Sequence, residues 1–371
     1  MSQTDKKIAF ISATALLLSS LEYLIPKPLP FLRLGLANLP LLLILDSMSL
    51  GPFLIVLLLK AVGQGMVSGT LFSYLFLISL AGTLSSGLAM KGAKQLLGSH
   101  VSLIGCSLLG AFVSNLSQLQ VASWVAYGPS IWVAAPLMLT LGMLTSFALG
   151  LLSEIYMQRG TTGKALKQDS LALAVPPSQE RTPHKHLLLA SLLAIAAILS
   201  TKGLIPLLII TVLMYLLQWV AGRRIRVIPA LMLIISLLLL SLFEPNGKVL
   251  LQVGSLAITE GSLTIALTKA LRLLSLLAAS QSLSASNPKI QGKAGTLLSL
   301  TLSYFSLLTR SFKMTRGTLI ERVDQALQAT ASGQVHDKVP TRVQKKPMNT
   351  RLFVFIVFLV VSISLISWIV Y

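Results

Sequence analysis

Several ionisable and amide side chains of the first 120 residues interrupt long apolar runs: Glu22, Arg33, Asn38, Lys60, Gln64, Asn115 and Gln118. A lysine or arginine at the centre of a membrane helix costs roughly 2.5–3.5 kcal/mol on insertion scales, so such residues are functional candidates by default. Lys60 and Gln64 are four residues apart, and Asn115 and Gln118 three apart, which puts each pair on one helical face. Two cations with several amides suit an anionic or carbonyl-rich ligand. The expected substrate-binding set is therefore Arg33, Asn38, Lys60, Gln64, Asn115 and Gln118. A second reading stays open, in which Lys60 snorkels to an interface and the amides tie helices together.

A different group lies near the C-terminus. Arg310, Thr315, Arg316, Gly317 and Arg322, with Lys313, Glu321 and Asp324, decorate an amphipathic stretch from Arg310 to Gln328. These are either a solvated face or a docking surface for a soluble partner. Lys269 and Arg272, three apart on an apolar helix, could pair with Glu260, meet lipid phosphates or take part in chemistry.

Other chemistries lack their residues. Each Gly-Lys pair (Gly163-Lys164, Gly247-Lys248, Gly292-Lys293) lacks the Ser or Thr of a phosphate-cradling loop. No Asp-rich cluster offers to hold Mg²⁺ on a diphosphate. Three of the four histidines sit in polar loops and His100 at the edge of an apolar run, which makes neither a zinc site nor a triad. The single Cys106 lies in an apolar run and reads as a small buried hydrophobe. No catalytic residue, metal ligand or covalently held cofactor is expected, and the chain reads as a non-enzyme.

The elements that must carry these residues follow from composition. Hydrophobic residues make up 54 % and charged residues 11 % of the chain, and mean hydropathy is +0.82, as in an integral membrane protein. The runs are Leu-rich without period-two alternation, hence helices and not barrel strands. The net charge of +19 is concentrated between the runs, where the positive-inside rule wants it, so it speaks for orientation and anionic lipids and against nucleic acid.

In order, Ile8 to Ile25 reads as a retained first span, because no small-residue cleavage site follows it. Leu34 to Leu45 is too short to cross roughly 30 Å of hydrocarbon, which needs roughly 20 residues. A broken element at that depth must face protein or a wet cavity. Phe53 to Val67, Leu71 to Met90, Val101 to Val125 and Ile131 to Ile155 complete a six-helix module, with Lys91 and Lys94 expected on the cytoplasmic side. Residues 158–186 form a basic, proline-bearing cytoplasmic linker. Beyond it, the spacing predicts a hairpin (Leu187 to Leu199, Leu204 to Val220), spans over Val227 to Phe243 and Leu263 to Leu283, and a polar outer loop from Glu244 to Glu260. Thr296 to Leu308 has basic flanks on both sides and reads as lying on the inner face, continuing into the amphipathic helix. Leu352 to Val370 is the last span. The fold expected is an all-α polytopic membrane protein with an N-terminal module over 1–157, a linker over 158–186, and a C-terminal module over 187–371 carrying cytoplasmic helices at about 288–350.

Four stretches, Leu34-Gly-Leu-Ala-Asn38, Ser68-Gly-Thr70, Ser79-Leu-Ala-Gly82 and Asn115-Leu-Ser-Gln118, occur in an order that resembles the membrane family labelled heptaprenyl diphosphate synthase component I, also called Gx transporters. That family is similar to the substrate-binding S components of energy-coupling factor (ECF) transporters. From His186 on, Gly247-Lys-Val-Leu-Leu-Gln-Val-Gly254, Ile258-Thr-Glu-Gly261, Ala270-Leu-Arg-Leu273 and Ser286-Asn-Pro288 resemble the ECF transmembrane T component. T components dock a pair of ATPases through Ala-Arg-Gly signatures on cytoplasmic coupling helices. Here Thr315-Arg-Gly317 is the nearest sequence, the region from Pro288 to Gly295 is abbreviated, and a second signature is lacking.

The resemblance implies an S/T fusion in the cytoplasmic (inner) membrane, its N-terminus in the cytoplasm. It would carry a small anionic cofactor- or vitamin-type molecule, a flavin first and a prenyl diphosphate second, with ATP used in trans by ECF-type ATPase subunits. Arg310, Thr315, Arg316, Gly317 and Arg322 would be the coupling residues. The alternatives are a non-catalytic membrane subunit of a prenyl diphosphate synthase and a membrane scaffold without transport.

Overall fold

Leu-rich runs have one way to satisfy their backbone in lipid without closing a barrel, and the computed structural model shows it: the chain is an all-α, multi-pass membrane protein. The structure describes residues 2–22, 35–159, 173–176, 185–220, 225, 227–243, 246–253, 256–285, 292–333 and 350–370. Arg33, most of the basic linker, Arg223-Arg224, Arg226, Glu244, Ser286-Asn-Pro288 and the hydrophilic stretch 334–349 lie outside them.

The N-terminal module comprises α1 (Gln3–Glu22), a 3₁₀ turn (Leu36–Asn38) leading into the short α2 (Leu39–Leu43), α3 (Leu50–Ser68), α4 (Tyr74–Leu97), α5 (Leu103–Ala122) and α6 (Ala135–Arg159). A π turn (Ser123–Tyr127) and a 3₁₀ turn (Pro129–Ala134) join the last two. The C-terminal module comprises α7 (Lys185–Ser200), α8 (Leu204–Val220), α9 (Val227–Ser241), α10 (Glu260–Ala285), α11 (Gly292–Met314), α12 (Leu319–Ala331) and α13 (Thr350–Val370). Among the described helices, those at Leu50–Ser68, Tyr74–Leu97, Pro129–Tyr156, Glu260–Leu283 and Thr350–Val370 are long and apolar enough to cross a membrane. Helices α7, α8 and α9 are apolar but shorter. The expected spans over Ile8 to Ile25 and Val101 to Val125 become α1 and α5, which carry polar side chains along much of their length and fall outside that group.

Helix α1 is buried on every side from Ile8 to Ser19, between α3, the α2 element and α11. Its Phe10 ring stands edge-on to Tyr304 of α11, with centroids 5.6 Å apart. The Tyr304 hydroxyl, pushed up to about 12 by burial, donates to the Ala174 carbonyl at 2.8 Å, and the Ala174 N–H donates to the last-turn carbonyl of Ala331 at 3.0 Å. The one described piece of the linker is thus fastened to α11 and α12.

Two expectations change, and Lys91 takes on a role the sequence did not show. The outer loop contains a two-stranded antiparallel hairpin, β1 (Val249–Val253) with β2 (Leu256–Thr259). The amphipathic helix expected from Arg310 to Gln328 is two helices, because Gly317 takes φ 128° and Thr318 starts α12 with a capping box, its side chain bonded to Glu321 N–H and Glu321 reaching back. Lys91 does not emerge at the surface. It is 5 % exposed within α4, and its ammonium donates to the carbonyls of Leu45 and of Met48, the latter at 2.6 Å, just past the end of α2.

Besides the packing of α11 on α1 and α3, the two modules meet along α10. The turn between α3 and α4 donates Phe72 N–H to Ser280 Oγ at 2.9 Å, while Tyr127, at the end of α5, faces Ile265 and Lys269. Both loops belong to one end of the N-terminal module, since α3, α4 and α5 run up and down in turn. Residues 265 and 281 are about 24 Å apart at the helical rise of ~1.5 Å per residue. That end of the module therefore lies along the length of α10, and its helices cross α10 steeply.

Replacing Lys91 by Met leaves two buried carbonyls without their donor, at about 1–3 kcal/mol each. The variant is expected to melt several degrees lower in detergent. Lys94→Met, which removes the half-exposed contact to Asp46 at 3.7 Å and a long bond to the Val101 carbonyl at 3.4 Å, should lose less than about 1 kcal/mol. Equal losses would show that Lys91 does not hold the α2 element.

Candidate functional site

Asn38, Lys60, Asn115 and Gln118 converge on one pocket inside the N-terminal module. Its empty space is about 540 Å³, part of it open to solvent. Each wall has a local reason. Gly35, at φ 91°, starts the 3₁₀ turn that presents Asn38, and a β-carbon there would be strained. Lys60 comes from the middle of α3, Ser79, Gly82 and Thr83 from one face of α4, Ser114, Asn115 and Gln118 from α5, and Gly142 and Ser146 from α6. Ser19 and Glu22 close the end of α1.

Lys60 is 2 % exposed and its ammonium donates to Asn38 Oδ1, so the lysine is turned inward and does not snorkel. Glu22, 3 % exposed, lines the same pocket and brings the opposite charge to it. The amides differ in what they have left. Asn115 donates from Nδ2 to the Met138 carbonyl of α6 at 2.9 Å, a tie between helices. Gln118 donates from Nε2 to Ser114 Oγ at 2.8 Å, while its Oε1 is buried without a hydrogen-bond partner. Turning the amide over exchanges its two atoms but still leaves one end unpaired at the cavity wall. An unpaired buried polar atom costs about 1–3 kcal/mol, which a ligand of matching polarity removes.

The glycines here are seats for these amides. A β-carbon on Gly82 would stand 2.5 Å from Gln118 Nε2, and one on Gly142 would stand 2.0 Å from Asn115 Nδ2. Of the other expected site residues, Gln64 is buried one turn further along α3 and is not part of the pocket wall, and Arg33 lies outside the described residues. Three of the four stretches that carry the family resemblance, those containing Asn38, Gly82 and Gln118, border this one pocket. The fourth faces α10, where Gly69 (φ 76°) lies against Gln281. Reading by residue type missed Ser19, Thr83, Ser114, Gly142 and Ser146; their small polar character is indistinguishable in sequence from ordinary helix-packing residues.

The second candidate cluster surrounds the break between α11 and α12. Arg322 turns inward: Nη2 donates to the Phe312 carbonyl at 2.9 Å and the guanidinium lies 4.2 Å from the Phe312 ring. Thr315 Oγ1 bonds the Ser311 carbonyl, Gly317 makes the turn, and Asp324 accepts from the Tyr156 hydroxyl at 2.7 Å. Arg310, near the end of α11, is half-buried. Arg316 is exposed beside Lys313, Met314 and Ile320, so the outward surface of this corner is apolar with a basic rim. Among the described residues no group of His, Cys, Asp and Glu could hold a metal ion.

Residues 11–156 match the family model described as heptaprenyl diphosphate synthase component I, and residues 184–283 match one described as a domain of unknown function, DUF8519. No curated protein and no solved structure matches the chain. The pocket lies wholly within the first matched stretch.

Gly82→Ala should destabilise the protein by about 1–3 kcal/mol, because the new methyl overpacks against Gln118. Gly92→Ala, on the same helix with nothing within 4 Å, should be neutral or slightly stabilising. Thermal unfolding of the two purified variants checks this, and equal melting temperatures would refute the seating role.

Proposed function

We propose that the chain moves a small organic molecule across the membrane as a fusion of an ECF-type substrate-binding module and a T-like module, energised by separate ATPase subunits. The observation that carries this reading is the polar pocket in an otherwise apolar helix bundle, with Lys60 turned inward and one end of the Gln118 amide left unpaired. Purely structural polar groups in a membrane bundle are paired with one another. The best candidates for the ligand are flavins, whose ring carbonyls and N–H groups suit the amides and whose phosphate suits Lys60.

The arrangement of the modules supports the same reading. Helices that cross α10 steeply cannot stand upright in the bilayer together with it, so the docked state holds the N-terminal module tilted. Movement between tilted and upright positions would expose the pocket to one side and then the other. The corner of Lys313, Met314, Arg316 and Ile320 offers the ATPase-docking surface, with Arg310, Thr315, Gly317 and Arg322 setting its shape. In this orientation the linker and α12 are cytoplasmic and the protein sits in the inner membrane, using ATP only through its partners.

A second reading rests on the name of the matched family: a non-catalytic membrane subunit of a heptaprenyl diphosphate synthase. Two measurements separate the readings. Detergent-purified protein should bind riboflavin 5′-phosphate or release a co-purified small molecule in native mass spectrometry. Lys60→Met and Gln118→Leu should each weaken that binding about tenfold or more, as expected for hydrogen bonds of about 1.5 kcal/mol or above. Binding of heptaprenyl diphosphate alone, with stimulation of a partner synthase, would favour the subunit. Retained affinity in both variants would remove the pocket as the site.

A further inference from the structure

The seam between the modules contains a second, shallow hollow of mixed polar and apolar lining, whose empty space of about 310 Å³ is partly open solvent, at the end of the C-terminal module that carries the β-hairpin. Lys269 lies in it together with Tyr127 of the N-terminal module and Ser241, Asn246 and Ser262 of the C-terminal module. Lys269 is nine residues from the start of α10, about 14 Å along the helix axis. No carboxylate or carbonyl among the described residues holds its ammonium. Arg272, one turn on, is used differently, donating from Nη2 to the Thr201 carbonyl at 3.0 Å.

An unpaired cation within an apolar span is costly, and it persists where an anion or the headgroup region meets it. The surroundings favour such a meeting. Helix α9 is 15 residues long, about 22 Å against the roughly 30 Å hydrocarbon core. Its end, Ser241, borders the hollow, so polar surface dips below the level that a full-length span would reach. Ile265, which lines it, is 45 % exposed, so the hollow has an apolar rim that acyl chains could cover.

From this we infer that Lys269, with the Asn246 amide, binds the phosphodiester of an anionic lipid on the hairpin side; the hydroxyls of Ser241 and Ser262 are already spent on the Leu238 and Thr259 carbonyls. A lipid seated there touches both modules and belongs to their docked arrangement. The inference does not depend on what the main pocket carries.

The full chain, reconstituted in nanodiscs of equal parts phosphatidylglycerol and phosphatidylcholine and released gently, is examined by native mass spectrometry. Wild type should retain one phosphatidylglycerol in preference to phosphatidylcholine. Lys269→Gln should lower that occupancy about fivefold, while Lys269→Arg and Lys248→Gln keep it. Asn246→Ala, in the loop beside the hollow, should lower it less and serves if Lys269→Gln does not fold. Inorganic phosphate and glycerol 3-phosphate are added as competitors. Failure of either to displace the lipid supports a headgroup site, and displacement by phosphate alone overturns it in favour of a soluble anion. Equal retention by wild type and both neutralised or truncated variants overturns the site altogether.

Discussion

Two lysines decide the shape of the N-terminal module. The element at Leu36–Leu43 is too short to satisfy its own backbone, and lipid offers it no hydrogen bonds. Lys60 of α3 engages Asn38 at its start, and Lys91 of α4 takes the carbonyls of Leu45 and Met48 just past its end. Those carbonyls belong to the turn that follows α2, and a buried cation satisfies them where lipid cannot. At the start, the short turn is held by a side chain and not by a cap, because Asn38 makes no capping bond of its own. Without these two contacts the broken helix has no reason to lie inside the bundle.

The pocket is a consequence of that break. A full-length helix in this place would fill the space between α1, α4, α5 and α6; the 3₁₀ turn at Gly35 to Asn38 leaves it open. The same break lets α1 be enclosed on all sides, and its second covering layer comes from the other end of the chain. Helix α11 packs Tyr304 against Phe10, α12 holds Asp324 against Tyr156, and the linker at Leu173 to Pro176 is fastened beneath both. Any force applied at the α11–α12 corner therefore reaches α1 and α6 through direct contacts, without passing through α7 to α10 or α13.

The helices and the broken element are legible in the sequence because membrane helices announce themselves by length and composition, and a segment that is too short is conspicuous. Intramembrane amides were legible for the same reason, and Asn38, Lys60, Asn115 and Gln118 do share a pocket. What stayed hidden is instructive. Gln64 has the helical spacing of Lys60 but sits a turn too far along, and spacing alone gives the face and not the depth. Lys91 follows the pattern of a cytoplasmic flanking charge, and only the fold shows carbonyls within its reach. The break at Thr315 to Thr318 did have a signal, since Thr318-Leu-Ile-Glu321 is a capping box followed by apolar residues, but a continuous amphipathic period masked it. Ser19, Ser114 and Ser146 carried none.

The contact between modules raises a last physical point. Its apolar residues, Tyr74, Leu119 and Ile131 against Leu233, Ala270 and Leu274, are no better off together than in lipid tails, so burial alone does not hold the modules in one register. Register must come from close approach and from polar bonds. Gly69 provides the first: its positive φ and the 2.8 Å that would separate its β-carbon from Gln281 Cγ leave room for glycine and little else. Phe72 N–H to Ser280 Oγ provides the second, and Gln281 is itself fixed by Gln218 at 2.7 Å. The Ser68-Gly-Thr70 stretch thus acts at the seam and not in the pocket. An interface of this kind is specific in place but weakly driven by burial.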